Sequence, residues 1–221
     1  VSDDCGATMS DSQRQLRSDT EVSNSQTAPI IVEEHRSIVV VRINRPAERN
    51  SLSVATLEEL ERIIAALSAR ADLRALIFTG TGDVFASGAN IRELRELTPE
   101  AAREFARRGQ RLMQLIADAT QLTIAAVNGY CMGGGLDLAL ACRLRVASRD
   151  AVFAHPGARL GIITGWGGTQ RLPRVVGATR ALEIFATARR VASAEALEIG
   201  LVNRVAANAL DGALALAENL T

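Results

Sequence analysis

The sequence predicts an α/β fold in which mostly parallel strands are joined by crossover helices. Three observations predict it. Short runs of Val, Ile and Leu alternate with longer segments whose apolar residues fall at helical spacing. Strand–glycine–helix units recur at intervals of about 40 residues, as parallel sheets with crossover helices require. Apolar residues make up 48% of the 221 positions, enough to bury one sizeable core.

The elements follow in order. Residues 1–29 are polar, lack an apolar period, and are expected to be a disordered tail. Met9 inside it is a candidate true start. From Ile30, "IIVEEH" and "SIVVVRIN" read as the two strands of a hairpin. "LEELERIIAALSAR" has helical spacing and Glu/Arg pairs. "RALIFTGTG" is a buried strand ending in glycines. "TPEAAREFARRGQRLMQLIADA" is a helix with Thr98 as N-cap and Pro99 in its first turn. "LTIAAVNGY" is another buried strand, and "GGGLDLALACRL" opens another helix. "RVAS" and "AVFAH" read as strands, and "GGTQRLPRVVG", "TRALEIFATARR" and "SAEALEIG" as short helices. "LVNRVA" is the last strand and "ALDGALALAENL" the last helix.

Composition narrows the function. The 25 basic and 25 acidic side chains cancel, which argues against nucleic acid or an anionic membrane as the main partner. Every basic residue is arginine, so Schiff-base chemistry and a phosphate-loop lysine are excluded. Cys5, Cys131 and Cys142 are odd in number and fit no metal spacing; they read as reduced thiols of a cytoplasmic protein. With only His35 and His155 besides, no metal site is expected. No apolar stretch reaches the ~18 residues of a membrane span, and no signal-peptide pattern opens the chain.

Two strand ends carry unusual turns, "FASGANIREL" and "NGYCMGGGLDLAL". Each puts small residues at or just before a helix start, where backbone N–H groups are unpaired. Two such groups aimed at one spot would hold a developing oxyanion; close helix–strand packing also demands glycine. Neither turn matches a nucleotide-binding fingerprint.

In "RINRPAERNSLS", "LIFTGTGDVFASGANIREL", "IAAVNGYCMGGGLDLALACRLRVAS", "FAHPGARLGIITGWGGTQRLPRVVG" and "LEIGLVNRV" the chain resembles the crotonase (enoyl-CoA hydratase/isomerase) superfamily. The stretches occur in family order and cover roughly Ile30 to Val205. The resemblance implies a spiral of ββα units over a core at 30–206, which binds an acyl-CoA thioester. It implies no separate cofactor, since the coenzyme A belongs to the substrate. It further implies that the N–H groups of Ala89 and Gly134 hold the thioester carbonyl as it becomes an enolate. Ser87, Gly88, Ile91 and Gly133 are then substrate-binding neighbours in the two turns.

The resemblance also marks departures. Hydratases of the family carry two glutamates; Asp137 stands at one position and Gly157 at the other. Asp137 is a candidate base, or caps its helix or pairs with Arg143. It is one methylene shorter than Glu, about 1.5 Å. Gly157 lines the substrate site but donates no proton, and a lost acid–base group costs ~10²–10⁴ in rate. His155 is the nearest substitute, or a structural histidine. Asn90 replaces the usual Asp after the oxyanion alanine, Arg92 meets a CoA phosphate or lies in solvent, and Glu93 and Glu96 are expected to be solvated. Trp166 lines the acyl pocket or packs beneath the loop. Residues 207–221 hold one short helix where relatives continue with several, which weakens the expected homotrimer. The expected function is an acyl-CoA-processing enzyme, with an acyl-CoA-binding regulatory protein or a dependent subunit as alternatives.

Overall fold

A computed structural model describes residues 28–219. The tail expected over 1–29 lies outside them except for Ala28 and Pro29, as do Cys5, Met9 and the last two residues. The strands β1 (Ile30–His35) and β2 (Ile38–Ile43) form the expected antiparallel hairpin. There follow β3 (Ser51–Leu52), α1 (Val54–Ser68), β4 (Ala75–Gly80), β5 (Val84–Ala86), β6 (Gly88–Ala89), α2 (Ile91–Arg95) and α3 (Pro99–Asp118). The middle of the chain forms β7 (Leu122–Val127), β8 (Tyr130–Met132), α4 (Gly134–Ala141), β9 (Leu144–Ser148) and β10 (Val152–Ala154). The last elements are α5 (Gly168–Val176), α6 (Ala178–Thr187), β11 (Val191–Ala192), α7 (Ser193–Glu198), β12 (Arg204–Ala206) and α8 (Ala209–Glu218).

The strands sort into a six-stranded sheet in the order β1-β2-β4-β7-β9-β12, a four-stranded sheet β11-β10-β8-β5, and the pair β3-β6. Within the large sheet all pairings but β1–β2 are parallel. Each repeat gives one strand to the large sheet, bends, gives the next to the small sheet, and returns through a helix. The bend in "LTIAAVNGY" falls at Asn128–Gly129, so this segment is two strands rather than one. Asn128 holds the bend: its Oδ1 accepts from the Gly80 amide at 3.0 Å and its Nδ2 donates to the Gly82 carbonyl at 2.8 Å. A Cβ at Gly129 would lie 1.9 Å from the Asp83 carbonyl, so only glycine fits there.

The large sheet is covered on both faces, which is why β2 and β4 read as unbroken apolar runs. Val39, Val41, Leu76, Phe78, Ala125 and Val127 face the main core with α1, α3 and α4. Ile38, Val40, Ala75, Ile77, Ile124 and Ala126 face α8, whose Ala209, Ala213 and Ala217 recur every four residues and let it pack closely. Ser53 and Thr98 cap α1 and α3 through the Thr56 and Ala101 amides. Among the described residues no helix is long and apolar enough to cross a membrane.

Asn50 ties the loop before α1 to the end of β4. It is fully buried in the left-handed region, φ +52°. Its Oδ1 accepts from the Arg45 amide at 2.9 Å, and its Nδ2 donates to the carbonyls of Thr81 and Val84 at 2.9 and 2.6 Å. Asn50→Ala removes all three bonds and puts alanine where Asn is better tolerated, a cost of about 2–4 kcal/mol. Thermal unfolding of the variant is expected to show a midpoint several degrees lower; an unchanged midpoint would contradict this account.

Candidate active site

The two glycine turns meet. Gly88 has φ +97° and Gly133 has φ +51°, both in the region that favours glycine. A Cβ at Gly88 would lie 2.9 Å from the Met132 carbonyl and 3.1 Å from the Gly134 amide nitrogen. One at Gly135 would lie 2.2 Å from the Ala86 carbonyl, and one at Gly134 would lie 2.3 Å from the Trp166 ring. Each of the three consecutive glycines therefore answers a separate demand: a backbone angle, an indole and a neighbouring strand. The Gly133 amide donates to the Ala154 carbonyl at 2.9 Å, and Leu52 of β3 pairs with Ala89.

A cavity of about 270 Å³ opens at this junction. Ser87, Gly88, Ala89, Ile91, Gly133, Gly134, Gly157 and Trp166 all line it. His155, Phe105 and Thr164 line it too, and Leu160, Ile162 and Ile163 form its exposed apolar rim. Trp166 is 3% exposed. Its ring packs on Gly134, on Gly109 of α3 and against Phe105, with ring centroids 5.3 Å apart. Gln110 of α3 donates to the Gly165 carbonyl at 2.8 Å and fixes the segment carrying the indole. The pocket and packing roles of Trp166 are one and the same.

Three predicted residues do not line the cavity. Asn90 caps α2: its side chain accepts from the Arg92 amide at 3.0 Å and donates to Glu93 at 3.3 Å. Arg92 is exposed. Glu93, expected in solvent, is half-buried and accepts from the Val54 amide at 2.9 Å, binding α2 to the start of α1. Glu96 is exposed, as expected.

Asp137 is the third. Its carboxyl sits in the first turn of α4, fully buried behind the segment 164–168. The Thr164 hydroxyl donates to Oδ2. Oδ1 makes no hydrogen bond of normal geometry and lies 3.5 Å from Nε2 of His155, which also has no hydrogen-bond partner. Arg143, the alternative partner, instead donates to the Ala119 carbonyl at 3.0 Å. Burial lifts the Asp137 carboxyl to about 7, against the pull of Thr164, the Trp166 and Gly168 amides and the Arg171 charge. Burial also lowers His155 to about 4. The low-dielectric site thus prefers a neutral acid beside a neutral imidazole. Among the described residues no three His, Cys, Asp or Glu side chains gather as metal ligands.

The profile of the enoyl-CoA hydratase/isomerase family matches residues 33–221. The chain belongs to the enoyl-CoA hydratase/isomerase family. It is 42% identical over 177 residues to a crotonyl-CoA hydratase of Syntrophomonas wolfei, covering 80% of this chain and 68% of that protein. A short-chain-enoyl-CoA hydratase of Clostridium acetobutylicum is 40% identical over the same shares. The fold matches a crystal structure of an enoyl-CoA hydratase from Bacillus anthracis with TM-score 0.83 and 37% identity, over 86% of this chain and 76% of that one.

Within this family the position of Gly157 is a closed one here. A Cβ on Gly157 would lie 2.6 Å from the Ile162 carbonyl, and the Ile162 amide donates to the Gly157 carbonyl at 3.0 Å. The loop has folded into the room that a side chain at 157 would need.

Stability against pH reports on the buried pair. A carboxyl raised from 3.8 to about 7 makes the native state bind more protons, so its contribution to stability falls as pH rises through that window. A histidine lowered from 6.5 to about 4 makes the native state bind fewer, so its contribution rises with pH through that window. The two slopes oppose each other where the windows overlap. Denaturant titrations from pH 4 to 7 are therefore expected to show, relative to wild type, an added upward slope in Asp137→Asn and an added downward slope in His155→Gln. Parallel profiles for all three proteins would contradict the assignment.

Proposed function

We propose that this chain is a cytoplasmic enzyme that binds an acyl-CoA thioester and hydrates or isomerises a short enoyl-CoA. One observation carries the reading: the contact between Gly88 and Gly134 brings Ala89 and Gly134 to the wall of one cavity. Backbone N–H groups of these two residues would polarise the thioester carbonyl, and the positive end of α4 would favour charge on its oxygen. Losing one such donor typically costs ~10²–10³ in rate. The names of the relatives, crotonyl-CoA hydratase and short-chain-enoyl-CoA hydratase, support the substrate class. A short acyl group also suits a cavity that Trp166 closes on one side. Asp137 supplies the one carboxylate retained at a catalytic position.

A second reading is an acyl-CoA-binding protein without turnover. It is favoured by the full burial of Asp137 and by the closed space at Gly157. Crotonyl-CoA separates the two. The enzyme reading expects the enoyl absorbance to decay in the presence of wild-type protein, and Asp137→Ala to slow that decay by ~10²-fold or more. Calorimetric binding with no decay would establish the second reading. A protein that neither binds nor converts the thioester would contradict both.

A further inference from the structure

We propose that His155 is the acid–base residue of this site and that Asp137 is a positioning residue acting through it. The inference rests on the enzyme reading above and names the group that handles the proton. Asp137 is the wrong side of the wall: its carboxyl is fully buried, capped by the Thr164 hydroxyl and closed off by the Gly168 backbone, and it does not line the cavity. His155 does line it. Behind the ring, Nε2 and Oδ1 are both buried, both without a hydrogen-bond partner, and 3.5 Å apart. Two orphaned polar atoms facing each other are satisfied together by one proton placed between them. Catalytic hydrogen bonds are often this long before substrate arrives.

The surroundings hold the ring, and on the other side the Thr164 hydroxyl and the Trp166 and Gly168 amides hold the Asp137 carboxyl. Phe185 of α6 stacks on His155 with ring centroids 4.8 Å apart. The titratable or charged groups facing the pair from neighbouring elements are Arg171 of α5 and the Cys131 thiol of β8, both felt by Asp137. With Nε2 turned to Asp137, Nδ1 is the ring nitrogen left for a molecule in the cavity.

One residue then does what two glutamates do elsewhere. In the form with Asp137 ionised and the shared proton on Nε2, Nδ1 takes a proton from water as the water oxygen bonds to the β-carbon. The C=C electron pair moves onto the thioester oxygen, and the Nε2 proton passes to Asp137. As the enolate collapses, its α-carbon takes the proton from Nδ1 and the carboxyl returns its proton to Nε2. One water is added across the double bond, and the pair ends as it began.

Two measurements test this. The sequence holds two histidines, so side-chain ¹⁵N spectra of the ligand-free protein are resolved once His35→Gln assigns the exposed one. His155 is expected to show a hydrogen-bonded Nε2 whose shift moves in Asp137→Asn; a His155 with free nitrogens in wild type, or shifts indifferent to that change, would overturn the pairing. In crotonyl-CoA kinetics, His155→Ala is expected to lower kcat about 100-fold or more with KM little changed, and added imidazole to restore part of the rate. Unchanged kcat, or a loss that imidazole leaves untouched, would overturn the catalytic role. Absence of wild-type turnover would count against the enzyme reading itself, whereas wild-type turnover with an indifferent His155→Ala would count against His155 alone.

Discussion

The site depends on the approach of two backbones, at Gly88 of β6 and at Gly134 where α4 begins. Nothing but hydrogen fits on Gly88 between the Met132 carbonyl and the Gly134 nitrogen. That contact joins the small β3-β6 pair to the repeat that follows and sets Ala89 and Gly134 on one cavity wall. Most of the rest serves it. The Asn128 bend aims β8 at the junction, Asn90 and Glu93 lock the first turn onto α1, and the Gly133 amide ties the second to β10.

Trp166 seals the junction from the other side. Its indole rests on Gly134 and Gly109, two positions where even a methyl group would collide with it. An aromatic ring buries a large apolar area with few rotatable bonds, so it makes a rigid wall. The same packing carries Thr164 and Gly168 over Asp137 and removes that carboxyl from the cavity. Burial changes what an acid can do: kept from water, it favours the protonated form and serves better as partner to another group than as a free base.

Much of this was legible in the sequence, and the boundary has physical causes. Long apolar runs and helical periods marked β1, β2, β4, β7, α3 and α8 because many side chains repeat the signal. Strands β3, β5, β6 and β8 have two or three residues each, too few to establish a period. The turn residues Ser87–Ala89 and Gly133–Gly134 stood out because glycine clusters at strand ends are unusual, and the structure gathers them at one cavity. Asn90 and Asp137 sit where they were read in the chain, yet one caps a helix and the other is hidden. Direction and burial of a side chain depend on distant segments, here Thr164 and Gly168, that no local pattern reveals. Glu93 was misread for the same reason: its partner, the Val54 amide, lies 39 residues away.

The central claim is that two backbone N–H groups grip a thioester carbonyl at this junction. Isotope-edited infrared difference spectra of bound crotonyl-CoA, labelled ¹³C at the carbonyl, test it most directly. Two donors should shift the carbonyl stretch well below its value for the free thioester in water. A carbonyl that absorbs where the free ester does, while the ligand is demonstrably bound, would contradict the account.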